Sequence, residues 1–360
     1  MTEEKYLATP LDEIPNIVGK LRQHFNKNAP FSYEFRIQQL QQLQKLIEEN
    51  EKEILAVCAE YFKEDARFAV GFRLFPVKYD LGLMLTNLKE YMKPKSISQP
   101  FPMNVKIKKV YSVQGVVGII APWNFPVSLL LRPLIGAIAA GNCVVLKPSE
   151  VTDNVARLIA KLIPKYLDPK IVQVVCGGPK ETNAMINAKL DLCMFTGSTF
   201  VGKLIMKACA EHLTPVILEL GGKNPVFLDD KLDLKVVAKR IMYGRLLNCG
   251  QLCLSPEYVF VSKQNVNTLI SELRQVLKEF YGDKIETTQR FSHIVNTNHF
   301  RRLKKIRDYY LLNDTESKKI VIGGPNDKEF FFKDNEKERF IPPMVLSNVD
   351  FEKDAIMAEE

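Results

Sequence analysis

Val116-Val117-Gly118-Ile119-Ile120-Ala121-Pro122-Trp123-Asn124-Phe125-Pro126 lies within a longer stretch, Val110 to Leu131, that holds no formal charge. A membrane-spanning helix is the first reading such a stretch invites. Pro122, Asn124 and Pro126 argue against it, because they would break the helix and leave polar groups in lipid. The segment reads instead as two buried pieces joined by a Pro-bracketed turn.

Working outward, further short apolar runs follow at regular intervals: Cys143-Val144-Val145-Leu146, Ile171-Val172-Gln173-Val174-Val175, Leu192-Cys193-Met194-Phe195 and Val216-Ile217-Leu218. The segments between them suit helices, from about Leu129 to Ala140, Asn154 to Ile163, Lys180 to Asn187 and Phe200 to Glu211. Strands that alternate with helices and lack a polar face predict a parallel sheet buried on both faces. The fold class is therefore α/β, with a doubly wound sheet whose ligands bind beyond the C-terminal strand ends. Three loops lie there: Lys147-Pro148-Ser149-Glu150, Cys176-Gly177-Gly178-Pro179 and Thr196-Gly197-Ser198-Thr199-Phe200-Val201-Gly202. The last leads into a helix, so its N–H groups could hold an anion such as a pyrophosphate. None of them matches Gly-x-Gly-x-x-Gly, and spacing alone leaves nucleotide binding open.

Before this region, Ile37, Leu40, Leu43, Ile47, Ile54, Leu55, Cys58 and Phe62 recur near helical spacing, which predicts packing helices over the first hundred residues. Val105-Lys106-Ile107-Lys108-Lys109-Val110-Tyr111 alternates apolar and basic residues, as a half-exposed strand does. Such an arm could pair with a second subunit.

Composition fits an ordinary globular protein: 360 residues, 46% hydrophobic and 26% charged, enough for two domains. The net charge of +8 comes from lysines interspersed with acids, without basic clusters carrying aromatics, so nucleic acid is not the expected partner. Seven scattered cysteines, an odd number, point to thiols in a reducing compartment. Cys143, Cys176, Cys193 and Cys209 sit in apolar surroundings and read as core residues, and packing is also the preferred reading of Cys249. Met1-Thr2-Glu3-Glu4-Lys5 precedes no apolar run, which argues against a secretion signal. The four histidines show no metal-ligand spacing, so no metal site is expected.

Two motifs carry the chemistry. Glu219-Leu220-Gly221-Gly222-Lys223-Asn224-Pro225 places a carboxylate at the end of an apolar strand, where desolvation would favour a general base. Gly250-Gln251-Leu252-Cys253 places a thiol on a Gly-containing turn that a substrate can approach closely, and a nearby helix N-terminus would favour its thiolate. Together they outline covalent catalysis at a carbonyl.

In order and spacing these blocks resemble the aldehyde dehydrogenase superfamily. Gln114 to Pro126, Ala139 to Glu150, Phe195 to Ser198, Leu218 to Lys223 and Gly250 to Cys253 are similar to its signature motifs. Phe291-Ser292-His293-Ile294-Val295-Asn296 resembles the Gly-Arg-Ile-Ile/Val-Asn segment of the class 3, fatty-aldehyde branch. The resemblance implies a Rossmann-type doubly wound NAD(P)-binding domain over residues 1–220, with N-terminal helices and a strand arm at 100–112. A second α/β catalytic domain over 221–360 would follow.

It also implies roles. Cys253 would be the nucleophile, forming a thiohemiacetal and then a thioester. Asn124 would donate to the oxyanion, and Glu219 would activate the deacylating water. Lys147 and Glu150 would contact the adenosine ribose, and Gly197, Ser198 and Gly202 would lie by the pyrophosphate. A carboxylate at Glu150 favours NAD, although the class 3 branch often accepts NADP. The expected activity is oxidation of aliphatic (fatty) or aromatic aldehydes to carboxylic acids, by a homodimer when full length.

The sequence ends at Asp354-Ala355-Ile356-Met357-Ala358-Glu359-Glu360, which resembles the approach to the family's Glu-Ile/Asn-Phe-Gly/Ala-Pro motif. Glu360 would be the glutamate that binds the nicotinamide ribose. The expectation is a catalytic domain incomplete at its C-terminal part, and the alternative reading is a catalytically inactive nucleotide-binding fragment. As given, the chain reads as cytoplasmic. Full-length relatives of this branch can be tail-anchored to the endoplasmic reticulum, the mitochondrial outer membrane or lipid droplets.

Overall fold

The computed structural model describes residues 8–98, 102, 105–313 and 319–358. The chain divides into two units. One comprises the residues up to Val57 with Ala69–Glu219, and the other comprises Cys58–Phe68 with Leu220 onward.

The first unit opens with helices α1 (Ile14–Asn28) and α2 (Tyr33–Phe62), whose last turn belongs to the second unit; α3 (Ala66–Arg73) and α4 (Phe75–Tyr91) follow. Leu40, Leu43, Ile47, Ile54, Leu55, Cys58 and Phe62 are buried along α2, as their spacing predicts. Each leucine or isoleucine so buried stabilises by about 1.5–3 kcal/mol relative to exposure. Two polar residues share that buried face. Arg36 donates to the carbonyls of Phe31 (2.9 Å) and Ala139 (3.0 Å), and Gln39 accepts from the Asp168 amide at 3.0 Å.

The short strands β1 (Lys95–Ile97) and β2 (Ile107–Lys109) pair antiparallel. The arm expected at 100–112 contains β2, and residues 100, 101, 103 and 104 lie outside the described residues. A half-exposed strand was expected here, but all three β2 residues are exposed, because the two-stranded ribbon packs neither face.

A parallel sheet then forms from β3 (Val116–Ile120), β4 (Cys143–Lys147), β5 (Val172–Val174), β6 (Leu192–Thr196) and β7 (Val216–Glu219). It is joined by α5 (Ser128–Ala139), α6 (Asp153–Tyr166), α7 (Pro179–Asn187) and α8 (Thr199–Ala210). Strand order is β5-β4-β3-β6-β7, so the chain builds outward on one side of β3 and crosses to the other after β5. That reversal between β3 and β6 is the switch point at which doubly wound sheets bind ligands. The uncharged Val110 to Leu131 stretch becomes β3, a Pro-bracketed turn and the start of α5. Among the described residues, no helix is long and apolar enough to cross a membrane.

Burial across the sheet is uneven. Every residue of β3 and β4 is buried, whereas β6 alternates buried with half-buried and β7 alternates half-buried with exposed. The two-faced burial expected for Val216-Ile217-Leu218 therefore fails. β7 is the edge strand, and one of its faces is uncovered, leaving Ile217 exposed.

The second unit contains the parallel pair β8 (Asn224–Phe227) and β9 (Pro256–Phe260), separated in sequence by α9 (Leu234–Leu246). After these come α10 (Val266–Tyr281), α11 (Thr297–Asn313), the antiparallel pair β10 (Ile320–Ile322) and β11 (Val345–Leu346), and α12 (Ala355–Ala358). Its core joins Met242, Leu246, Leu273, Leu277, Phe291 and Phe340. Phe291 meets Tyr281 and Phe340 edge-on, with ring centroids 5.4 and 5.8 Å away.

Candidate active site

In the first unit, the residues singled out in the sequence sit at the C-terminal ends of adjacent strands. Ile120 of β3 is in register with Lys147 and with Phe195, and Thr196 is in register with Glu219. Asn124, half-buried in the turn after β3, uses its Oδ1 to accept from the Phe125 amide at 3.1 Å, which turns Nδ2 to the other side. Its backbone carbonyl accepts from Nη1 of Arg73 at 3.1 Å. Arg73 is only 2% exposed, and its guanidinium lies 5.1 Å from the Phe72 ring and 5.6 Å from the Phe125 ring. Sequence reasoning passed over Arg73. The available signal was a single cation inside the apolar run Ala69-Val70-Gly71-Phe72-Arg73-Leu74-Phe75.

Lys147 ends β4 almost fully buried, and its Nζ lies 2.5 Å from Oε2 of Glu150. A buried ammonium is costly unless paired, so the exposed Glu150 carboxylate fixes where the lysine points. Ser149, also buried, accepts from the Val151 amide at 3.3 Å and caps the 3-10 turn Glu150–Thr152. After β6, the Gly197 amide donates to the Glu219 carbonyl at 3.0 Å. Ser198 is the N-cap of α8, where its hydroxyl accepts from Val201 at 3.4 Å and its carbonyl accepts from the buried Gly202 at 2.9 Å. A capped helix start after β6 and an ammonium–carboxylate pair at the end of β4 are groups that fit a dinucleotide. The helix end favours phosphate charge, and the carboxylate accepts from hydroxyls.

Glu219 terminates β7 and is exposed. The desolvation expected there is absent, because the edge strand leaves its side chain in water.

In the second unit, Cys253 lies half-buried in a turn leading into β9. No helix begins at it, so the helix N-terminus considered for the thiolate is not found. The thiol instead follows a strained segment: after α9, Asn248 (φ 52°), Cys249 (φ 56°) and Gly250 (φ 74°) are all left-handed. A non-glycine residue in that region costs on the order of 1–3 kcal/mol, and such strain persists only where surroundings over-determine it. Here Gln251 supplies the restraint. Its Nε2 donates to the carbonyls of Asn248 (2.9 Å) and His293 (3.1 Å), and its Oε1 accepts from Val295 at 3.0 Å. Arg339 braces the same segment, donating to the carbonyls of Val295 (2.6 Å) and Tyr61 (3.0 Å).

The Gly221-Gly222-Lys223-Asn224 motif flanks this turn. Nδ2 of Asn224 donates to the carbonyls of Cys253 (2.7 Å) and Ser255 (2.9 Å). Gly222 approaches so closely that a Cβ there would lie 2.8 Å from the Cys253 carbonyl oxygen. Lys223 Nζ lies 2.9 Å from Glu257 and donates to the Ile356 carbonyl of α12 at 2.6 Å; Arg245 pairs with the same Glu257. None of Gln251, Asn224 or Glu257 was assigned a role from sequence.

The aldehyde dehydrogenase family profile matches residues 8–360. Aldehyde dehydrogenase family 3 member A2 of Macaca fascicularis is 38% identical over 345 residues, which are 95% of this chain and 67% of that relative. This chain belongs to the aldehyde dehydrogenase family.

Solved structures agree. The substrate-bound state of Staphylococcus aureus AldH superposes with a TM-score of 0.87 at 35% identity, covering 96% of this chain and 73% of that one. The NAD+ complex of an aldehyde dehydrogenase from Bacillus cereus gives 0.83 at 26% identity, covering 97% and 70%. The chain spans about two thirds of the length of the curated family 3 relative it matches. As an aldehyde dehydrogenase it is an oxidoreductase, and its α/β fold is the family's.

In this chain the segment Phe291 to Val295 is a buried strip. His293 donates its amide to the Phe62 carbonyl at 2.9 Å, and its Nδ1 lies 2.5 Å from the Glu338 carbonyl. Burial holds the His293 ring below the ordinary histidine pKa. Cys249 packs against the core of this aldehyde dehydrogenase unit, and burial pushes its thiol up to about 12. Cys58, Cys143, Cys176, Cys193 and Cys209 are buried thiols. Glu360 lies outside the described residues.

Proposed function

We propose that this aldehyde dehydrogenase oxidises aliphatic (fatty) or aromatic aldehydes to carboxylic acids with NAD+, accepting NADP+ as well. The observation that carries the reading is the turn bearing Cys253: a thiol on a braced, strained loop, in a chain 38% identical to aldehyde dehydrogenase family 3 member A2. Cys253 Sγ attacks the aldehyde carbon to give a thiohemiacetal. Asn124 Nδ2 donates to the developing oxyanion, a contribution of roughly 3–4 kcal/mol for one such donor. A nucleotide held at the strand ends would supply the hydride acceptor, and loss of hydride from the thiohemiacetal would leave a thioester on Cys253. Glu219 takes a proton from the water that hydrolyses it.

Lys147 and Glu150 hold the adenosine ribose, and Gly197, Ser198 and Gly202 hold the pyrophosphate. Glu360 takes the nicotinamide ribose. The exposed carboxylate of Glu150 accepts from ribose hydroxyls and repels a 2′-phosphate, which supports NAD+ as the preferred form. The exposed β1–β2 arm pairs with a second copy of the chain in this reading.

The test is aldehyde-dependent reduction of NAD+ or NADP+ by the purified protein. Cys253→Ser should abolish the signal. Glu219→Gln should keep a first-turnover burst and slow the steady state, since only deacylation needs the base. A Glu219→Gln protein with no burst would overturn the role assigned to that residue.

A further inference from the structure

Strands β8 and β9 both meet proline where their pairing begins, at Pro225 and Pro256, with a register shift between Asn224 and Pro225. Proline has no N–H to give, so the ladder loses donors at that end. The carbonyls of Cys253 and Ser255 lie there, and both are served by one carboxamide, Nδ2 of Asn224, at 2.7 and 2.9 Å. The motif thus replaces two backbone donors with a side chain. It does so at the residue that carries the thiol, and on the side of the turn where Gly222 leaves room for the Cys253 carbonyl. Gln251 restrains the segment before Cys253, whereas Asn224 restrains the peptide after it.

We infer that Asn224 is a positioning residue for the nucleophile: its carboxamide fixes the carbonyl of Cys253, and through that peptide the direction and reactivity of the Cys253 thiol. The inference rests on reading Cys253 as the nucleophile. Losing the two bonds frees the peptide to rotate, and both carbonyls then turn toward water or neighbouring donors. The thiol moves with them.

The experiment follows alkylation of Cys253 by iodoacetamide across a pH series, read by peptide mass spectrometry, alongside steady-state kinetics. The proteins are the unsubstituted chain, Asn224→Ala, Asn224→Ser and the core truncation Leu277→Ala. Asn224→Ala should shift the pH profile of Cys253 alkylation and lower kcat on the order of tenfold or more, with KM for the nucleotide unchanged. Asn224→Ser keeps one hydroxyl donor and should recover part of both. Leu277→Ala truncates the core of the second unit without removing either Asn224 bond and should keep the original alkylation profile in whatever fraction folds.

An Asn224→Ala protein with an unchanged profile and kcat would overturn the inference. So would an equal profile shift in Leu277→Ala, which would mean that the turn responds to general destabilisation. If Asn224→Ala does not fold, Asn224→Ser against the unsubstituted chain decides the same question. A chain without aldehyde-dependent reduction, in which Asn224→Ala still shifts Cys253 alkylation, would sink the functional reading and leave the positioning role supported.

Discussion

Nη1 of Arg73 donates to the backbone carbonyl of Asn124 at 3.1 Å, so a buried cation holds the residue proposed as the oxyanion donor. Fixing the carbonyl fixes the peptide from which the Asn124 side chain projects. Arg73→Met should leave that part-buried carbonyl without its charged donor, which costs on the order of 1 kcal/mol. The melting temperature should fall accordingly, and kcat should fall with it. Asn124→Ala should lower kcat on the order of 10²- to 10³-fold with little change in stability. An Arg73→Met enzyme with unaltered kcat would show that Asn124 needs no such support.

The sheet was readable because its strands are apolar on both sides and separated by amphipathic helices, a pattern that the burial of β3 and β4 accounts for. The uneven part, β7, was not readable, since Val216-Ile217-Leu218 looks alike whether one face or two are covered. Cys253 and Glu219 stood out as reactive groups in small-residue surroundings, and Asn124 stood out through the resemblance to the family. Their supports did not. Arg73, Gln251 and Asn224 act through backbone carbonyls, and neither residue type nor spacing reports which carbonyl a side chain will reach.

Gly222 gives a sharper test of the second unit. An added Cβ would stand 2.8 Å from the Cys253 carbonyl oxygen, a backbone atom that cannot step aside without moving the turn. Gly222→Ala should therefore cost about 1–3 kcal/mol as overpacking. It should also lower kcat on the order of 10²-fold through misplacement of the thiol. Steady-state kinetics and a thermal melt on one preparation separate the two effects. Full activity in Gly222→Ala would mean that the turn has slack.

Gly250, at φ 74°, closes the left-handed run, and an alanine there would meet the Arg245 carbonyl at 3.1 Å. Gly250→Ala should destabilise by roughly 1–2 kcal/mol, the cost of an L-residue in that conformation. The denaturant midpoint would report it, and an unchanged midpoint would show that the loop relaxes.

Acid should weaken the second unit through the buried His293 and the half-buried His299. Burial lowers the pKa of His293 and of His299 in the folded state, so near neutrality both rings are neutral there. The unfolded chain takes up protons once pH falls below about 6.5, the ordinary histidine value, while the folded chain takes them up only at lower pH. Stability is thus fully present above that ordinary value and is lost as pH falls through the window down to the lowered folded-state values. Urea midpoints measured above and below the window should show the decline, and His293→Gln should flatten part of it. A decline identical in His293→Gln would assign the effect to other groups.

Cys249 and Cys253 are four positions apart and should behave in opposite ways. Burial raises the Cys249 thiol to about 12, and that thiol packs against the core rather than the turn's outer side. At pH 8 its thiolate would then be about one part in 10⁴, against a quarter or so for an unperturbed cysteine. Iodoacetamide at that pH should label Cys253 and leave Cys249 unlabelled until the protein is denatured. The same shift has a stability consequence: the raised folded-state value means that Cys249 contributes stability below the unfolded thiol pKa of about 8.5, lost as pH rises toward 12. Cys249→Ala should remove that alkaline dependence while Cys253 labelling persists. Labelling of Cys249 ahead of Cys253 in the native protein would reverse the assignment of which thiol faces the substrate.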